Sequence, residues 1–127
     1  MKTFEPLFEA MREAADPRSQ KNLATYFATD FAASRPKSQF PGLTAVAARR
    51  VALRFAKEFG PSDIRQLLAS RVPEHRFAAL EMLVRKYETG TPSEREEIAN
   101  LYLRNLRHID HWVLVDTSAP YVLARTY

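Results

Sequence analysis

A chain of 127 residues with 46% apolar content holds one domain with one core, and its three glycines disfavour a turn-rich β protein or a glycine-loop nucleotide fold. With no cysteine, disulfides, thiolate zinc sites and cysteine nucleophiles are excluded. The net charge of +4 is uneven: residues 1–72 carry twelve Lys/Arg against seven Asp/Glu, and residues 31–57 hold Arg35, Lys37, Arg49, Arg50, Arg54 and Lys57 without an acid. Such a one-sign field suits a polyanion such as nucleic acid, and it equally describes a solvated basic helix face.

The first predicted element is an amphipathic helix over residues 3–15, with Phe4, Leu7, Phe8 and Met11 at helical spacing. Asp16-Pro17 predicts a helix start, with Leu23, Tyr26, Phe27 and Phe31 as the stripe of a second helix. The segment 33–42, with Pro36 and Pro41, reads as the longest loop. Leu43 to Phe59 is the next helix, and Gly60-Pro61-Ser62-Asp63 opens a short one to Ser70. Val72-Pro73-Glu74 opens another to Glu88. Thr91-Pro92-Ser93-Glu94 is a capping box for a helix to Arg107. Asp110 is placed to cap a last helix, which Pro120 ends or kinks. No segment alternates as a strand does. No apolar run approaches ~20 residues and no basic-then-apolar leader opens the chain, so a cytoplasmic protein that crosses no membrane is expected.

A shift of 31 residues aligns two units. Val46-Ala47-Ala48 falls on Phe77-Ala78-Ala79, Val51 on Met82, Arg54 on Arg85, and Pro61-Ser62-Asp63 on Pro92-Ser93-Glu94. The expected fold is therefore all-α, with antiparallel helix pairs stacked as an α-solenoid of HEAT-like repeats in a single domain over 1–127. A further shift puts Met82-Leu83-Val84 on Val113-Leu114-Val115. It places Arg54, Arg85 and Asp116 in one row, and Arg50, Glu81 and Trp112 in the row one turn earlier.

The stretch 110–120 holds the only tryptophan and, directly before it, His111. Trp112 and Asp116 are four apart and share a helix face. An aromatic plate beside a carboxylate can hold a flat cationic ring and its sugar; on the residues alone, a core tryptophan and a surface aspartate fit as well. His75 and His111 read as exposed helix residues. His75, His108 and His111 form no convincing metal set, and neither a metal nor a cofactor is expected. Thr117 and Ser118 are placed to bond backbone near a helix end.

Several ordered motifs resemble the AlkD-like DNA alkylation repair proteins, a family of HEAT-repeat DNA glycosylases. They are Thr25-Tyr26-Phe27, Phe40-Pro41-Gly42-Leu43, Arg49, Glu74-His75-Arg76-Phe77-Ala78-Ala79-Leu80, Tyr102-Leu103 with Asn105, and Trp112 with Asp116 followed by Ala119-Pro120. The resemblance implies excision of cationic alkylated purines from double-stranded DNA, without flipping the base into a pocket. It implies Asp116 as catalytic carboxylate, with Trp112 and Tyr26 against the lesion's backbone and sugar. Arg49, Arg50, Arg54 and Arg85 are the candidate phosphate contacts. A non-catalytic helical module that binds DNA, and a protein-interaction solenoid, remain as other readings.

The sequence departs from the family pattern in places. Val113 follows the tryptophan where the family usually has an acid, and Val46 stands where a proline is usual. Family members are about twice as long, so the resemblance implies the N-terminal half of the fold, without a groove arginine and a second tryptophan that lie further on. An open solenoid end would expose apolar surface on its last helix and favour a homodimer.

Overall fold

The computed structural model describes residues 3–27 and 38–126, with side chains to residue 123. Among these residues there are seven α-helices and no strand: α1 (Glu5–Ala14), α2 (Leu23–Phe27), α3 (Ala45–Phe55), α4 (Pro61–Leu68), α5 (Pro73–Thr89), α6 (Pro92–Arg104) and α7 (Trp112–Thr126), with a 3-10 turn at Leu106–His108 before α7. Helices α3, α5 and α7 lie side by side, with α1 against α3; α4 and α6 pack on α5 as a second layer. This is the stacked, solenoid-like arrangement of helix pairs expected from the repeat.

The starts of the helices are written locally. Pro61, Pro73 and Pro92 each occupy a first helical turn, where a missing N–H costs nothing. Thr44 caps α3 by accepting the Ala47 N–H at 3.1 Å. Asp63 accepts the Gly60 N–H at 3.0 Å, and Glu94 the Thr91 N–H at 2.8 Å, so the equivalent turns before α4 and α6 are held by the same device. Helix α5 is buried at every position from Pro73 to Val84, which is why residues 77–84 are apolar except Glu81; Glu74, His75 and Arg76 are buried with them.

Three local expectations change. The helix expected from Pro17 is absent until Leu23. Asp16 instead accepts the Arg18 backbone N–H at 3.0 Å and the Arg18 guanidinium at 3.1 Å, forming a turn. Asn22 is the effective cap: its Oδ1 accepts the Thr25 N–H at 3.1 Å. Phe31, Arg35, Pro36 and Lys37 lie outside the described residues. Helix α3 ends at Phe55 rather than Phe59, and the turn after it brings the Phe59 ring to 5.3 Å from Phe4. Helix α7 continues through Pro120 to Thr126, so the proline does not end it.

His75 is buried, not exposed. Its ring stacks on Phe8 at 3.9 Å, and Nδ1 lies 2.8 Å from the Ser70 hydroxyl. Burial, aided by the nearby Arg12 charge, depresses its pKa to about 4. The unfolded chain therefore binds a proton on this ring at a higher pH than the folded chain does. Stability from this group is complete above the unfolded pKa and is lost as pH falls toward about 4. Urea denaturation between about pH 7 and about pH 4 should show roughly 2–3 kcal/mol lost from this source, a component missing from the pH slope of His75→Gln.

Candidate nucleic-acid interface

Helix α7 begins at Trp112, and the residue that holds its start is His111, not Asp110. The His111 Nδ1 accepts the Val113 N–H at 3.2 Å, and its buried ring meets Phe27 edge-on at 5.0 Å. Asp110 instead faces the Arg76 guanidinium at 3.5 Å. With its backbone so fixed, Trp112 projects across to α2, where the Tyr26 ring meets it edge-on at 5.9 Å. The indole remains 52% exposed. It is therefore no core anchor: a large aromatic plate is presented to solvent and steadied by a second ring.

One turn further, Asp116 is exposed on α7. None of the ion pairs among described residues involves it. Its neighbour Thr117 donates its hydroxyl proton to Oε1 of Glu81 on α5. The other carboxylate oxygen of Glu81 faces Nε of Arg49 on α3 at 3.4 Å. Glu81 is only 5% exposed. Burial pushes its carboxyl up from the usual range, while Thr117 and Arg49 oppose that shift. On the opposite side of the same turn, buried Ser118 donates to the Leu114 carbonyl at 2.6 Å and lies 2.9 Å from the Tyr102 hydroxyl.

Tyr26, Trp112, Arg49 and the turn bearing Asp116 are thus joined through α2, α3, α5 and α7. Arg54 and Arg85 come together elsewhere: they line a groove walled by α4 and α6, together with Lys57, Arg65 and Arg104. Asp116 is not in that groove. Arg50 is exposed on α3 beside Arg49, which rather than Arg50 reaches Glu81. The expected rows therefore break between α5 and α7. Glu81 meets Thr117, 36 positions on, in place of Trp112 at 31. Helix α6 has 13 residues against 8 in α4, and a 3-10 turn follows it, so more chain separates α5 from α7 than α3 from α5. Glu81 and Thr117 carried one readable signal, an acid set among Ala78, Ala79, Leu80, Met82 and Leu83 in a helix otherwise built for burial.

The fold is an all-helical stack of repeats that carries an open indole and a carboxylate on α7 and exposed arginines on α3, across α5 from it. The family model described as DNA alkylation repair enzyme matches residues 7–127. The chain belongs to that family, which makes DNA alkylation repair its function. No curated protein and no solved structure matches the chain. Among the described residues no helix is long and apolar enough to cross a membrane.

Proposed function

We propose that this protein excises positively charged alkylated purines, such as 3-methyladenine and 7-methylguanine, from duplex DNA. The observation that carries the reading is the half-open Trp112 indole with the Asp116 carboxylate one turn along the same exposed face. A tryptophan face attracts cations by about 0.5–2 kcal/mol, so an indole left open suits a charged ligand. An open surface suits a lesion read from within the duplex. Arg49, Arg50, Arg54 and Arg85, together with Lys57, are exposed cations on α3, the turn after it and α5, able to contact phosphates.

The chemistry follows from the charge on the substrate. Alkylation at N3 or N7 makes the purine a cation, hence a good leaving group. The C1′–N9 bond breaks with its electron pair moving to the purine, which becomes neutral. Positive charge grows on the deoxyribose, and the Asp116 carboxylate faces it. A water oxygen then bonds C1′, and its proton passes by way of the carboxylate to solvent, as in other oxocarbenium-like hydrolyses. Trp112 and Tyr26 hold the lesion's sugar and backbone against this group.

The test is incubation of the chain with duplex DNA methylated at guanine N7, followed by chromatography of released bases. Free 7-methylguanine above the spontaneous background is expected, with duplex affinity falling steeply as salt rises. Salt-sensitive binding without base release would leave a DNA-binding module and reject the glycosylase reading.

A further inference from the structure

The turn that carries Asp116 has a weakness in its backbone. Pro120 lies inside α7 and has no N–H, so the Asp116 carbonyl, four residues earlier, lacks its helical hydrogen-bond donor. A proline ring also presses on that same carbonyl. A turn loosened in this way would let the carboxylate wander unless side chains hold it. Two do. Ser118 is tied to Tyr102 of α6 on the buried side, and Thr117 is tied to Glu81 of α5 on the other. Glu81 is itself anchored to α3 through Arg49.

We infer that Glu81 is a positioning residue for the reaction: through Thr117 it fixes the proline-loosened turn of α7, and through Arg49 it sets that turn relative to the basic helix α3. The inference rests on the glycosylase reading above. Burying a carboxylate to hold one hydroxyl is costly for stability alone, and an apolar pair of the same shape would pack as well. What the carboxylate adds is direction: two oxygens, each with its own partner, on helices either side of α5. Misplacement of a reacting group by about an ångström costs up to roughly 100-fold in rate, so a hydrogen bond that sets position acts on the chemical step.

The experiment compares single-turnover release of 7-methylguanine by the full chain and its variants. Thr117→Val keeps the shape and removes the hydroxyl; the rate should fall about tenfold with duplex affinity unchanged, and the melting temperature should drop by only a few degrees as buried Glu81 loses a hydrogen bond. Thr117→Ser keeps the hydroxyl and should return the rate to within about twofold. Adding Glu81→Ala to Thr117→Val should slow the reaction no further than the slower single change, because both remove one link. A wild-type rate in Thr117→Val, or a loss that appears in affinity instead of rate, overturns the inference. Should the wild-type chain release no base, the glycosylase reading fails separately. The positioning is then decided by quenching of Trp112, the only tryptophan. Thr117→Val should change its quenching by acrylamide and Thr117→Ser should not; unchanged quenching in both overturns the inference.

Discussion

Asp116→Asn should lower the single-turnover rate of 7-methylguanine release by at least about 100-fold while leaving the fold intact. Asparagine keeps the size and the oxygen of the side chain but removes the charge. In the proposed reaction the ground state carries its positive charge on the purine, and the transition state carries it on the sugar. A carboxylate near the sugar therefore gains attraction as the bond breaks, which is the condition for raising rate and not merely affinity. Asp116 is exposed and joins none of the ion pairs among described residues, so its loss should not move the melting temperature by more than a few degrees. Duplex affinity should hold or rise, because a negative charge facing phosphates has been removed. Measuring rate and affinity separately distinguishes this outcome from simple loss of DNA contact. A variant within about threefold of the wild-type rate would remove Asp116 from the chemistry.

Gly42→Ala should destabilise the chain by at least about 3 kcal/mol, read from the midpoint of urea denaturation. Gly42 has φ +87, a region that residues with a Cβ rarely adopt. A Cβ there would stand 2.1 Å from the Asp16 carbonyl oxygen and 2.9 Å from the Pro17 nitrogen, both backbone. Neither can swing aside as a side chain could. The same contact is where the chain ties itself together: the Asp16 N–H donates to the Gly42 carbonyl at 3.0 Å, and the Leu23 N–H to the Leu43 carbonyl at 2.9 Å. These bonds hold the segment between α1 and α2 against the approach to α3. Moving Gly42 would therefore disturb α2, with Tyr26, as well as the loop. Gly60→Ala is the control. Gly60 has φ −86, and nothing lies within 4 Å of its Cβ position. That change should cost less than about 1 kcal/mol, mostly through a poorer helix cap.

The helices were legible where their signals are local. Pro61-Ser62-Asp63 and Pro92-Ser93-Glu94 announce their starts within four residues, and both helices begin at the proline. The tyrosine, the tryptophan and the aspartate were legible as types and spacing, and the structure adds that Tyr26 and Trp112 touch. What stayed hidden depends on partners far along the chain. Asp16-Pro17 has the pattern of a helix start, but Gly42 and Arg18 take the aspartate's backbone and carboxylate for a turn. His75 and His111 look like surface residues until Phe8 and Phe27 close over their rings. The change of Glu81's partner from Trp112 to Thr117 accompanies the longer α6 and its terminal turn, which no pairwise match of motifs weighs. Glu81 shows only as an acid out of place, since its partners lie 32 and 36 positions away, at Arg49 and Thr117.

Helix α5 lies between α3, α4, α6 and α7, and is the element on which the others rest. Its backbone amides should be the last to exchange with solvent deuterium, and only when the whole domain opens. Helix α7 leans on α5 and α6 alone among the better-packed elements, and leaves Val115 and Tyr121 exposed. Its amides should exchange before those of α5. The surface proposed to meet DNA thus spans two helices, α3 and α7, that touch the centre from opposite sides. A duplex bound across both would link them directly and should slow exchange in α7 more than in α5.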